Sequence, residues 1–189
     1  MRHVERLRAR RLRLEEAGEE GFTLIELLVV LLIIGILLAI AIPTFLSVTK
    51  TANNTAAQAN LQTALTGADT FYTSNNQTYT GLYGGTGVST ITAIDTGLTY
   101  TNPGSSTKSN VVSLIFNGTS GYVILAAFAP GTRDCWFVLD QKAAQGTAID
   151  GAPAATGTYY GVIKADINPC VAATGLTTVT WQTTGFPKG

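Results

Sequence analysis

An uninterrupted apolar run constrains this chain more than any other feature of its sequence. The run comprises sixteen residues, 27–42, all of them leucine, isoleucine, valine, alanine or glycine. As an α-helix it would be about 24 Å long, and with residues 22–25 it would reach roughly 30 Å, the thickness of the hydrocarbon core of a bilayer. Six arginines precede it within residues 1–20. The positive-inside rule therefore predicts a cytoplasmic N-terminus, one membrane-spanning helix and an exported remainder.

A carboxylate, Glu26, stands near the start of this apolar segment. A charged residue costs about 2.5–3.5 kcal/mol at the centre of a spanning helix and less near an end, so it marks function unless it merely reaches the headgroups. A secretory signal peptide cut at the A-x-A sequence of residues 39–41, or a plain uncleaved anchor, leaves Glu26 unexplained. Cleavage after Gly21 would instead create an amine on Phe22, one helical turn away. Glu26 would then pair with its own amine or with a neighbouring chain's amine, and the latter would fix the register of apolar helices.

The segment GFTLIELLVV, with Gly35 and Pro43 downstream, resembles the class III prepilin leader of type IV pilins and of the related type II secretion pseudopilins. The resemblance implies cleavage between Gly21 and Phe22 by a prepilin peptidase and methylation of the new Phe22 amine. It also implies that Glu26 pairs with the amine of a neighbouring subunit during assembly. The helix would loosen between Gly35 and Pro43, where glycine lowers helix propensity and proline lacks a donor. The sequence departs from the family pattern in one respect, because two glutamates rather than a basic residue precede Gly21.

Downstream of the apolar run, periodicity predicts an α+β fold in which a long N-terminal helix packs on a C-terminal antiparallel sheet. Apolar residues recur at steps of three and four up to Phe71 or Tyr72, which predicts an amphipathic helix that ends near residue 74. Short β-branched or aromatic segments predict strands at 88–93, 97–101, 111–117, 121–129, 135–139, 158–164 and 177–182. Asn117-Gly118 predicts a hairpin between two of them.

These patterns divide the chain into five segments. They are a cleaved leader (1–21), a membrane and filament-core helix (22–45), its amphipathic continuation (46–74), a connecting loop rich in glycine, serine and threonine (75–110), and a sheet head with a disulfide-bonded C-terminal region (111–189). In an exported domain the two cysteines, Cys135 and Cys170, favour one disulfide, with two separate buried thiols as the alternative. Many type IV pilins close their C-terminal region with such a bond.

Composition argues against an enzyme. The only histidine is His3, so catalysis by Ser-His-Asp or Cys-His is excluded downstream, as are histidine-based metal sites. No P-loop sequence occurs, and neither a cofactor nor a metal is predicted. Three N-x-[ST] sequences, at Asn53, Asn76 and Asn117, are candidate glycosylation sites.

The resemblance implies a structural filament subunit whose main partner is itself. Its other partners would be the prepilin peptidase, an assembly platform with motor ATPases, and membrane lipid before assembly, with nucleic acid only as a transported ligand. The subunit would pass from the cytoplasmic membrane to an extracellular pilus that supports adhesion, twitching motility or DNA uptake. The alternatives are a secretion pseudopilin or minor pilin and, from another class, a secreted or anchored binding domain with a conventional signal peptide.

Overall fold

The structure, a computed structural model, describes residues 21–84, 90–146, 149, 151–164, 169–173 and 179–188. The chain divides into two compact units, Met1–Phe45 and Leu46–Gly189. Helix α1 spans Leu24–Ser74, so the long helix predicted from periodicity is confirmed to within two residues at its start.

Within the first unit, the apolar part of α1 is exposed to its full extent. Every described residue of this unit is exposed, and its large apolar side chains retain between 45% and 82% of their accessible surface. Contiguous apolar surface of this size requires an apolar environment from outside the chain. By length and composition α1 is the one helix, within the described residues, that could cross a membrane.

Within the second unit, α1 buries the face that its periodicity predicts. The buried positions follow steps of three and four, and four of the seven are alanine or glycine; they are Ala57, Leu61, Ala64, Leu65, Gly67, Ala68 and Phe71. Small side chains at these positions let the helix lie close to the sheet, and they share one core cluster with strand residues such as Val123 and Val138. The α+β prediction is therefore confirmed.

The sheet has six strands in sequential order. They are β1 (Thr99–Thr101), β2 (Val111–Asn117), β3 (Tyr122–Ala129), β4 (Asp134–Gln141), β5 (Gly157–Ile163) and β6 (Thr180–Gln182). The predicted hairpin at Asn117-Gly118 is present, with Asn117 opposite Tyr122. Four of the five pairings are antiparallel, as predicted, but β1 pairs with β2 in parallel. The connection between them returns to the end of the sheet at which β1 begins, and within it Ser106 forms an isolated antiparallel β-bridge with Cys170.

The strand predicted at 88–93 is wrong over its described residues. The chain instead forms a single helical turn, α2 (Ile91–Ile94), in which Ile91 alone is buried. Ile91 packs where α1 carries Gly67, because its Cγ1 would lie 3.6 Å from a Cβ at that position. One turn is enough to insert this single apolar side chain, so the β-branched composition of the segment does not determine its structure.

Both faces of the central strands are covered, which explains why all eight residues of β4 are buried. One face packs against α1, and the other packs against C-terminal segments that contribute Ala152, Cys170 and Ala172. The β3–β4 turn also docks on α1, since Asn54 Oδ1 accepts hydrogen bonds from Thr132 Oγ1 at 2.7 Å and from Trp136 Nε1 at 3.1 Å. These contacts fix the helix against the sheet.

We predict that Gly131→Ala destabilises this docking. A Cβ at Gly131, in the β3–β4 turn, would lie 2.9 Å from the Lys50 Cα and 2.9 Å from the Asn53 Nδ2. Because the Cα belongs to the helix backbone, it cannot rotate away, and overpacking of this kind costs about 1–3 kcal/mol. Chemical denaturation of the full-length protein in detergent would measure the loss.

Gly146→Ala is the matched control, because a Cβ there would meet nothing within 4 Å. We expect it to leave the free energy of unfolding within about 0.5 kcal/mol of wild type. Equal stability of the two variants would contradict the proposed contact between the turn and the helix.

Candidate processing and assembly site

The N-terminal end of α1 brings together the residues predicted to be cut, methylated and paired. Gly21 and Phe22 precede the first helical residue and are exposed, and Glu26 lies in the first helical turn. A peptidase can therefore reach the bond between Gly21 and Phe22. The cleavage, the methylation and the pairing with another subunit remain predictions.

Thr23 and Glu26 form a reciprocal capping box. The Thr23 backbone N–H and hydroxyl donate to Glu26 Oε2 at 2.9 and 2.6 Å, and the Glu26 N–H donates to Thr23 Oγ1 at 3.3 Å. The Thr23 carbonyl accepts from Leu27 N–H at 3.2 Å, so Thr23 is the N-cap. A carboxylate at this end of a helix also faces the positive end of the helix dipole.

Sequence reasoning missed Thr23, although a signal for it was present. The spacing T-x-x-E at residues 23–26, followed by an apolar run, is the usual signature of a capping box. The consequence is chemical: the carboxylate at the head of the apolar helix already has two hydrogen-bond donors in its own chain. These two donors satisfy the carboxylate within its own chain.

Gly35 and Pro43, the two residues predicted to loosen the helix, both lie inside α1. The helix continues through them, so the loosening remains a prediction. A Cβ at Gly35 would meet nothing within 4 Å, which means that no packing contact in this chain requires a glycine there.

The predicted disulfide between Cys135 and Cys170 is confirmed. Cys135 belongs to the central strand β4, and both cysteines are fully buried on the sheet face that the C-terminal segments cover. The bond closes a loop with a sequence separation of 35 residues. A loop of this length corresponds to about 3–4 kcal/mol in the chain-entropy account of disulfide stabilisation.

The three candidate glycosylation sites differ in their surroundings. Asn53 lies within α1 and donates to Thr49 O at 2.9 Å, and Asn117 Oδ1 accepts from Ser120 N–H at 2.8 Å. Asn76 is exposed in the turn after α1 and has a φ of 52°. Glycosylation at all three remains a prediction.

A polar network that sequence reasoning did not predict joins the end of α1 to the sheet. Lys142 Nζ lies 2.7 Å from Asp69 Oδ1 and 3.0 Å from Asp140 Oδ2. Tyr79 donates its hydroxyl to Asp140 Oδ2 at 2.5 Å, and Thr158 donates to Asp140 Oδ1 at 3.0 Å. Among the described residues no cluster of three or more histidine, cysteine, aspartate or glutamate side chains could hold a metal ion. The arrangement therefore fits a structural link between α1, β4 and β5.

Three groups in the second unit have raised pKa values. Burial raises the pKa of the Tyr79 hydroxyl, and the hydrogen bond to Asp140 raises it further. Burial and the hydrogen bond to Asp95 also raise the pKa of the Tyr100 hydroxyl. Burial alone would lower the pKa of Lys142, but its hydrogen bonds to Asp69 and Asp140 outweigh burial and raise it.

We predict that these groups make the fold sensitive to alkali. A group whose pKa is higher in the folded state stabilises the fold fully below its unfolded pKa, and that stability is lost as pH rises toward the folded value. Unfolded tyrosine and lysine titrate at about 10 and 10.4, so the contribution of these three groups to the free energy of unfolding should be constant up to about pH 9 and fall above about pH 10. Denaturation of the full-length protein in detergent across this range would measure it.

Tyr79→Phe supplies the comparison for this prediction. It removes one of the groups that titrate, so the fall in stability above about pH 10 should be shallower than in wild type. The same slope in both proteins would show that the Tyr79 hydroxyl does not contribute to the alkaline loss.

Two comparisons with known proteins match the N-terminal segment and much of the remaining chain. The family described as the prokaryotic N-terminal methylation motif matches residues 17–42, which include the capping box and the exposed apolar helix. This motif, followed by an α+β head, places the chain in the class of prepilin-like proteins. The chain is 35% identical over 119 residues to the type IV wide pilus major component PilA4 of Thermus thermophilus. The aligned region covers 62% of this chain and 79% of that protein. The chain belongs to the type IV pilin family. No solved structure matches it.

Proposed function

We propose that this protein is the repeating subunit of a pilus filament, assembled through the apolar half of α1. The observation that carries the proposal is the exposure of every described residue in the first unit, most of which lie within the N-terminal methylation motif. Such a surface is stable in a bilayer first and among identical helices later. A contact that repeats along an axis without closing produces an open helical filament.

In this proposal cleavage changes the partner of Glu26. While Gly21 precedes Phe22, the nitrogen of Phe22 is a peptide amide, and Thr23 supplies the donors to the carboxylate. Cleavage between Gly21 and Phe22 turns that nitrogen into a positive amine, which methylation leaves charged. Glu26 of an adjacent subunit then pairs with it, and the attraction between the charges is far stronger among apolar helices than in water. Each subunit is thereby held at one axial register.

The remaining partners act at successive stages of processing and assembly. A prepilin peptidase removes the leader, lipid surrounds residues 22–45 with the N-terminus in the cytoplasm, and a platform protein with motor ATPases drives assembly. The relative from Thermus thermophilus is described as a major pilus component, which favours the same role here over a minor pilin or a secretion pseudopilin. Adhesion, twitching motility and DNA uptake are the outputs that such a filament could serve.

The test is to shear surface filaments from the native cells, image them by electron microscopy and identify their main component by mass spectrometry. We expect this protein as the main component, beginning at a methylated Phe22. A component present only in traces would indicate a minor pilin. A mature chain that begins near residue 42 would overturn the proposal, because the apolar helix would then have been removed.

Glu26→Ala and Glu26→Gln test the register role. The glutamine variant retains an oxygen that can accept the hydrogen bonds from Thr23, but it has no charge to pair with an amine. We expect both variants to insert into the membrane and to enter filaments at least about tenfold less well than wild type, since losing one partner of a buried charge pair costs more than ~1.4 kcal/mol. The ratio of filament-borne to membrane-borne protein on immunoblots measures this.

Normal incorporation of the glutamine variant would show that charge pairing is not needed. Assembly of the glutamine variant at the wild-type level, together with failure of the alanine variant, would assign the role of Glu26 to the capping box alone. Membrane fractions without filament shearing supply the insertion control.

A further inference from the structure

The β3–β4 turn lies against the part of α1 at which the second unit begins. A Cβ at Gly131 would lie 2.9 Å from the Lys50 Cα, and Thr132 donates to Asn54 Oδ1 at 2.7 Å. Arg133, the last residue of the turn, is exposed, and so is Lys50. Two basic residues that are far apart in the sequence therefore belong to one small area of the surface.

The exposed charge of this area is positive. Residues 44–56 of α1 and residues 130–133 of the turn contain no aspartate or glutamate. Asp134, the next residue, is only 6% exposed and belongs to β4. The exposed charged groups of the two segments are the Lys50 ammonium and the Arg133 guanidinium, which we call the basic patch. A guanidinium binds phosphate through two parallel hydrogen bonds, and an ammonium binds it as a point charge.

The basic patch borders exposed apolar surface. Leu46 and Val48 precede Lys50 on α1, and they retain 56% and 67% of their accessible surface. Leu46 is four residues before Lys50, so the two side chains lie one turn apart on the same face of the helix. A helix that leaves a bilayer commonly carries lysine or arginine at this point, because the long side chain reaches the lipid headgroups.

We propose that the basic patch binds the phosphate of an anionic phospholipid while the subunit is held in the membrane. The lipid contacts Lys50 from α1 and Arg133 from the sheet, so it attaches the β3–β4 turn as well as the helix to the membrane surface. The site rests on the proposed function, which surrounds residues 22–45 with lipid. A subunit that enters a filament must release this headgroup, so the lipid composition affects how readily the subunit leaves the membrane.

Photo-crosslinking of the full-length protein in nanodiscs tests the site. The discs contain phosphatidylcholine and phosphatidylglycerol in equal parts, and a trace of one of the two lipids carries a diazirine on its headgroup. Peptide mass spectrometry locates the products. We expect the phosphatidylglycerol probe to label residues 130–133 at least about fivefold more than the phosphatidylcholine probe, since one basic residue near an anionic surface has about this effect. Lys50→Gln and Arg133→Gln should each reduce the ratio, and the double variant should remove the preference.

Lys108→Gln is the matched control, because it removes the charge of an exposed lysine in the connection between β1 and β2. We expect it to leave the labelling ratio at residues 130–133 unchanged. Arg133→Lys keeps the charge and should keep the preference, which separates loss of charge from disturbance of the turn.

Equal labelling of the turn by both probes in wild type, or no labelling of it, would overturn the site. A preference that survives in the double variant would overturn it too. If that variant also enters filaments poorly, the basic patch contacts an acidic group of a neighbouring subunit instead. Native cells without filaments would overturn the proposed function, and the labelling in nanodiscs is measured independently of that result.

Discussion

The fold and the behaviour of this protein depend on an apolar helix that its own chain does not cover. In the described residues of the first unit no side chain is buried, although most are leucine, isoleucine or valine. Burial of apolar surface is the main favourable term in folding and association. In the proposed function, the apolar part of α1 buries its surface against molecules outside the chain. These are first lipid and then identical helices of the filament. Assembly is thus a transfer between two apolar environments, with little net gain from hydrophobicity itself.

Because such a transfer gains little from hydrophobicity, polar groups must determine the axial position of each helix. Apolar helices slide past one another at small cost, so specific spacing requires a charge or a hydrogen bond that is satisfied at one position only. In the proposed filament, Glu26 in the first turn of α1 is this group. Its capping box with Thr23 keeps the carboxylate satisfied in a single chain. In the proposed assembly, Glu26 therefore exchanges one set of donors for another and is never a bare charge.

Much of this could be predicted from the sequence, because its signals are local. The apolar run, the alanine-rich stripe and the Asn117-Gly118 hairpin each depend on neighbouring residues only. The parallel pairing of β1 with β2 and the β-bridge between Ser106 and Cys170 depend instead on the path of the connecting chain and on distant segments, which no local pattern reveals. The short helix at Ile91 likewise buries its one apolar side chain beside Gly67 of α1, which is distant in the sequence. In the candidate site Thr23 carried a readable signal, whereas the link of Lys142 to Asp69 required the fold.

The same chemistry recurs along α1 and has one physical reason. A helix that must fit both lipid and protein cannot rely on water or on a fixed partner to satisfy its polar groups. Thr23 donates a hydrogen bond to Glu26, and the Thr44 hydroxyl donates to the carbonyl of Ala41 in the preceding turn. In both cases a threonine within one helical turn supplies the donor, so the hydrogen bond travels with the chain. In the proposed function, the polar groups of this helix therefore keep a hydrogen-bond partner both in lipid and among neighbouring subunits.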